Sequence, residues 1–158
     1  MGARRYVPGF QLLNELQHKR SYGVGSGVAI ARGDALILTS GYLALATTLQ
    51  STTPVFCGIA LEENTAAEAS ANDVFKVLVA PPLMQYQWMV PCEATGVLAA
   101  TDVGTVRDIE TEDGLDEGDT VTAGLGFFID EIDISTAALA ASATFGFAIG
   151  HFESVYAS

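Results

Sequence analysis

The residues of this 158-residue chain best equipped for covalent or metal chemistry are two histidines, His18 and His151, and two cysteines, Cys57 and Cys92. A hydrolytic triad needs a base beside an activated nucleophile, with an acid to orient it. His18 stands in a polar stretch beside Lys19, and His151 follows Gly150 in a distant apolar run. No Gly-x-Ser-x-Gly elbow, His-Glu-x-x-His pair or Walker loop accompanies either. A zinc site would need both histidines and both cysteines at spacings that bring none of them together locally. The cysteines lie in VFCGIA and MVPCEA, apolar settings that favour buried free thiols over a disulfide. These residues predict no enzyme, no cofactor and no resident metal.

Four other patterns have a chemical and a structural reading. The run from Asp108 to Asp119 holds seven carboxylates, Asp108, Glu110, Glu112, Asp113, Asp116, Glu117 and Asp119, and oxygen-rich loops suit calcium. Counting from Asp108, however, Asp113 takes the sixth place, where an EF-hand needs glycine, so a solvated acidic loop is expected, with a weak cation site as the alternative. Arg32-Gly33-Asp34 matches an adhesion tripeptide, yet Gly-Asp before an apolar run reads as a turn entering a strand. Gly23 to Gly27 (GVGSG) resembles a phosphate loop, but it lacks the preceding strand and following helix that such a loop requires. It is expected to be a hinge. The segment MQYQWM concentrates Met84, Tyr86, Met89 and the sole Trp, Trp88. Alternation puts Met84, Tyr86 and Trp88 on one face, which predicts core or intersubunit packing ahead of ligand binding.

The elements that must carry these residues are short. Candidate strands are Val28–Ala31, Ala35–Thr39, Tyr42–Ala46, Val55–Leu61, Val74–Val79, Gln87–Pro91, Gly104–Ile109, Thr120–Thr122, Phe127–Ile134 and Phe145–Phe152, punctuated by Gly, Pro and Asp turns. This texture predicts a mainly β fold, a barrel, β-tulip or sandwich. Thr136–Ala143 reads either as a helical turn or as an extended connection. Residues 1–22 form an N-terminal arm in which Phe10, Leu12, Leu13 and Leu16 recur at near-helical spacing, predicting one short amphipathic helix that starts after Pro8-Gly9. The body covers 23–158, and it divides into two similar modules near residue 92 if the run from Gly33-Asp34 to FCGIALEE is echoed by the run from Gly118-Asp119 to FAIGHFE.

The net charge is −12, yet only 16% of residues are charged and mean hydropathy is +0.33. So few charges cannot cover the large surface of a small domain, which predicts burial against other subunits. Arg4, Arg5, Lys19 and Arg20 face Glu15 alone within residues 1–20, while the rest of the chain holds three basic and eighteen acidic groups. An acidic body repels nucleic acid, so no direct nucleic-acid binding by the body is expected. The longest uncharged stretch, Ile134 to Gly150, is too short and too rich in Ser and Thr to span a membrane. The start of the chain lacks a signal-peptide order, and folding in a reducing cytoplasm is expected.

The segment GSGVAIARGDALILTSGYLALAT, closing at VFCGIALEEN, resembles the small decoration (cement, or auxiliary) proteins of tailed-phage capsids. The likeness covers Gly25 to Asn64 and, less fully, Gly118 to Glu153. It implies a compact β-barrel or β-tulip body, set in symmetric clusters, favourably trimers, on a capsid exterior, with the major capsid protein as partner. Bridging capsomers against internal DNA pressure calls for many modest contacts rather than a catalytic site. In that role Arg4, Arg5, Lys19 and Arg20 are expected charged anchors, with Tyr6, Phe10, Leu13 and Leu16 the apolar ones and Tyr86 and Trp88 further contact candidates. The competing readings are a tail, fibre-base or head-completion component, and a carbohydrate- or cation-binding module built on Tyr86, Trp88 and the acidic run.

Overall fold

The structure is a computed structural model and describes residues 9–50, 55–92, 98, 100–133 and 146–155. Arg4, Arg5, Tyr6 and the stretch Thr136–Ala143 lie outside the described residues. The fold is mainly β, as the sequence predicts, with two antiparallel sheets in a sandwich-like body and no closed barrel.

Among the described residues eleven strands follow one another: β1 Gln11–Leu12, β2 Arg20–Gly23, β3 Ala35–Thr39, β4 Tyr42–Leu45, β5 Val55–Ala60, β6 Lys76–Ala80, β7 Trp88–Pro91, β8 Val106–Thr111, β9 Gly114–Thr120, β10 Gly124–Asp133 and β11 Phe147–Val155. One sheet runs β2-β6-β5-β3-β4 and the other β1-β7-β11-β10-β8-β9. With β1 set aside, the sheets share one path. Numbering the strands of each unit in chain order, both read 1-5-4-2-3. Each also curls until its first and third strands touch at one parallel bridge, Val24 to Leu43 in the first unit and Cys92 to Leu115 in the second. An odd number of antiparallel strands leaves the two end strands pointing the same way, so that contact has to be parallel. The bridge falls at matching places: one residue past the first strand, and the second residue after a two-residue hairpin turn.

Local sequence explains the hairpins. Ser40 and Gly41 both have positive φ, 52° and 87°, the geometry that matches strand twist in a two-residue turn between Thr39 and Tyr42. Glu112 and Asp113 form the matching turn between Thr111 and Gly114. The segment expected to be a solvated acidic loop is therefore the β8–β9 hairpin. Its carboxylates mask an alternation in which Ile109 and Leu115 turn inward, 4% and 0% exposed. The topology also shows that the textual echo is not the structural repeat. Gly33-Asp34 precedes the second strand of its unit, whereas Gly118-Asp119 lies within the third strand of the other. The division between units falls between Ala80 and Trp88, ahead of residue 92.

Two cores result. The first unit wraps Val24, Leu36, Leu43, Cys57, Val77 and Val79. The second wraps a larger cluster with Trp88, Phe127, Phe152, Ile109 and Leu115, and the back of the first sheet (Ala35, Phe56, Ile59, Ala80) closes it over. Phe10 sits at its centre, 5.3 Å from the Phe152 ring, 5.6 Å from Phe127 and 6.3 Å from Trp88. At Gly150 a Cβ would overlap the Phe128 carbonyl of β10, so β11 can approach that strand only with glycine there.

The helix expected across Phe10 to Leu16 does not form. Gln11 and Leu12 pair instead with Met89 and Trp88, and Arg20 to Gly23 pair with Val79 to Lys76. Phe10 gains more by entering the aromatic core than a lone amphipathic turn could supply, since short helices are marginal without tertiary packing. The GVGSG hinge is likewise a pinned turn: Val24 is fully buried, Gly25 N donates to Leu43 O, Gly27 N to Ala69 O, and Ser26 N to Asn72 Oδ1. Two candidate strands are absent as such. Val28–Ala31 makes only an isolated bridge from Ile30 to Asn64, and Thr120–Thr122 is the frayed end of β9.

Candidate functional site

The expected contact residues separate into two groups. Phe10, Tyr86 and Trp88 are core residues, 3%, 1% and 1% exposed, and present no ring to the outside of the chain. Alternation set Met84, Tyr86 and Trp88 on one face; Tyr86 and Trp88 are both buried, but Met84 stands 60% exposed. The second group stands on an exposed ridge over residues 13–20, which carries Leu13, Leu16, Lys19 and Arg20.

That ridge is held in place from below. Leu13 N donates to Gln87 O, and the Asn14 side chain grips the same segment twice, Nδ2 donating to Gln85 O at 2.7 Å and Oδ1 accepting from Gln87 N at 3.0 Å. Gln85 Nε2 donates to Gln17 Oε1. The buried Tyr86 hydroxyl then donates to His18 O at 2.7 Å and accepts from His18 N at 2.6 Å and from Gln17 N at 3.2 Å. Tyr86 is therefore a clamp for the ridge rather than a contact residue. Sequence reasoning missed this role because a buried phenol that bonds a segment 68 residues away leaves no local trace. Met84, on the gripped segment, is 60% exposed, and Leu13 and Leu16 are 41% and 36% exposed. Here large apolar side chains stand on backbone fixed by at least seven hydrogen bonds.

The residues considered for chemistry are dispersed. His18 is on the ridge, and His151 Nδ1 lies 2.9 Å from Asp130 Oδ2, its ring stacked on Phe128. Cys57 and Cys92 are free, buried thiols in different cores. Burial pushes the Cys57 thiol up to about 11, although the Tyr22 hydroxyl and Arg20 pull the other way. Among the described residues no group of three His, Cys, Asp or Glu side chains is placed to hold a metal ion. Among them, too, no helix is long and apolar enough to cross a membrane.

Asp108, counted with the solvated run, is instead buried at 2% exposure and ties the two units together. Its carboxylate accepts from Leu49 N at 2.6 Å, Ile109 N at 2.8 Å, Gln50 Nε2 at 2.8 Å and the Thr48 hydroxyl. A buried carboxylate is tolerable only when its lone pairs are filled in this way.

No protein-family model, curated protein or solved structure matches the chain.

Proposed function

We propose that this protein is a structural virion component that decorates a bacteriophage capsid and stabilises it by bridging neighbouring capsid subunits. The observation that carries the reading is the pinned ridge. Leu13, Leu16 and Met84 offer apolar area beside the cations Lys19 and Arg20, on backbone that loses little freedom when it docks. The low charged fraction supports the same end, because a surface so poor in ions gains by being covered. In this role the ridge meets the major capsid protein, the acidic remainder faces solvent on the capsid exterior, and copies cluster, with a trimer the favoured arrangement.

Residues 11–12 and 20–22 belong to the sheets and Phe10 to the core, so removing the whole N-terminal region would destroy the body rather than test the ridge. The test is Leu13→Asp with Met84→Asp in the otherwise intact chain. Particles purified from lysates in which the chain is made are imaged by electron microscopy. Symmetry-related copies over the outer shell are expected for the parent chain and a depleted shell for the double variant. Copies confined to the tail or portal, or a shell equally occupied by the variant, would reject the proposal.

A further inference from the structure

Arg32 is the one charged residue lining a groove of about 290 Å³ between β1 and the 60–61 segment of the first unit. Phe10, Ala60 and Trp88 lie beneath the groove, almost wholly buried, and the partly buried Gln11, Leu12 and Leu61 line it further out. Arg32 itself is exposed, and among the described residues its side chain makes no ion pair or hydrogen bond. The groove has no carboxylate among its lining residues, and the acids nearest in sequence are engaged elsewhere. Asp34 Oδ2 accepts from Ala31 N, and Glu62 Oε1 from Leu78 N, both at 2.8 Å. In a chain of net charge −12, one guanidinium thus stands over apolar side chains with no acid to answer it.

The turn that presents Arg32 is pinned. Asp34 N donates to Ala31 O at 3.1 Å, which closes a four-residue turn with Arg32 at its first corner. Gly33, at the second corner, has a φ of 94°, the left-handed value that a type II turn requires there. Gly33 N donates to Ala60 O and Gly33 O accepts from Phe10 N, so this corner is tied both to β5 and to the residue that precedes β1. Backbone held in this way has little freedom left to lose on binding, and only the Arg32 side chain remains to be ordered.

A guanidinium pairs with a carboxylate through two parallel hydrogen bonds, stronger than those between neutral groups. The groove beside it accepts apolar surface, and its volume lies at the small end of ligand sites. An inorganic anion would leave the apolar lining uncovered, and a neutral hydrocarbon would leave the guanidinium unpaired. We propose that this groove binds a small monocarboxylate with an apolar body, its carboxylate on Arg32 and its chain against Leu12 and Leu61. This goes beyond the capsid role and does not depend on it. It also gives the Arg32-Gly33-Asp34 tripeptide a task, in which Gly33 and Asp34 shape the turn and Arg32 is the residue presented.

The probe is sodium octanoate, titrated below its micellar range into the full chain, with calorimetry and the fluorescence of Trp88, the sole Trp, as readouts. Saturable binding of one octanoate per chain is expected. Octanamide, which lacks the charge, and acetate, which lacks the apolar body, should each bind at least about tenfold more weakly. Arg32→Gln is expected to weaken octanoate to the level of octanamide while leaving the urea midpoint in place. If that variant disturbs folding, the three probes on the parent chain decide alone. Equal affinity for octanoate and octanamide, or no saturation by about 10 mM octanoate, would overturn the inference. So would tighter binding of acetyl-Ala-Ala-Leu with a free C-terminus, which would make the groove a seat for the end of a peptide.

Discussion

In the first unit, Leu43 reaches across to Val24 inside a core the unit wraps by itself; at the matching place in the second, Leu115 reaches to Cys92 inside a core that the first unit's sheet must close. The strand path is the same and the dependence is not. The first sheet is buried on both faces, which is why β5 is buried from Phe56 through Ala60 with no inside-outside alternation. The second uses the first unit's sheet as a lid, and its acidic hairpin is tied to that unit: Ala35 N donates to Glu112 O, and Asp108 holds the 48–50 segment. One topology can thus serve as a self-contained shell or as an open one, depending on which face receives the large side chains.

The most damaging way to break this arrangement is at the shared core. Phe152 touches the rings of Phe10, Phe56, Trp88 and Phe127 across the unit boundary. Phe152→Ala is expected to cost about 4 kcal/mol, and Leu43→Ala, inside the first unit's own core, about 3 kcal/mol. Trp88, the sole Trp, belongs to the second unit and reports its state by fluorescence, while circular dichroism reports both. If the lid is required, Leu43→Ala shifts the urea midpoint of the fluorescence and dichroism signals together. A fluorescence transition left at its parent position would show that the second unit stands without the first.

Asp108→Ala comes next. It strands Leu49 N and Ile109 N in the interior, and a cost of about 2 to 3 kcal/mol is expected in urea unfolding. A double-mutant cycle with Thr48→Val should give a coupling above about 0.5 kcal/mol, because the two side chains bond each other across the boundary. Additive losses would mean that the Thr48 hydroxyl adds nothing to the tie, leaving it to Leu49 N and Gln50 Nε2.

How far the sequence discloses this arrangement depends on whether the deciding signal is local. The short apolar runs bounded by Gly, Pro and Asp locate most of the strands, and Ala35–Thr39 matches residue for residue, because Gly33-Asp34 and Ser40-Gly41 fix both of its ends. The N-terminal region misleads because Phe10, Leu13 and Leu16 fit a helical period while serving opposite environments, Phe10 in the core and the two leucines on the ridge. The β8–β9 hairpin is hidden by carboxylates at positions where a polar outer face is normal for a strand. Of the candidate site, the apolar and basic residues of the ridge are readable, but the Tyr86 clamp, the groove at Arg32 and the Asp108 tie depend on segments brought together from far along the chain.

A smaller effect probes the junction by pH. Burial raises the Asp34 carboxyl from 3.8 to about 6; the hydrogen bond from Ala31 N offsets part of this, and Glu112 and Asp113 of the second unit add to it. Between these values the folded chain holds a proton that the unfolded chain has released. Asp34 therefore contributes a loss of stability as pH rises from 3.8 to about 6, complete above that window and absent below it. Asp34→Asn keeps an acceptor for Ala31 N and removes the titration, so its stability relative to the parent is expected to improve across that window. Glu112→Gln should narrow the window from above by removing one of the facing charges. An unchanged difference between parent and Asp34→Asn at pH 4 and pH 7 would mean that burial does not raise this carboxyl, and an unmoved window in Glu112→Gln that the second unit's turn does not act on it.

The smallest effect compares the two thiols, one in each core. Alkylation needs the thiolate, and lifting Cys57 from 9.0 to about 11 lowers its thiolate fraction near neutral pH roughly a hundredfold, before any steric protection. Cys57 retains 8% exposure, whereas Cys92, at the bridge that closes the second unit, has none. Iodoacetamide labelling of the folded chain at pH 8 is thus expected to be slow at both, with Cys57 gaining about tenfold for each unit of pH as its thiolate population grows. Cys92 can react only when the Cys92–Leu115 bridge opens. Its labelling should therefore accelerate in Phe152→Ala, which weakens the core around that bridge, by a larger factor than Cys57 labelling does. Equal acceleration of both thiols would mean that the two curled sheets open as one, and that the self-contained character of the first unit does not extend to its dynamics.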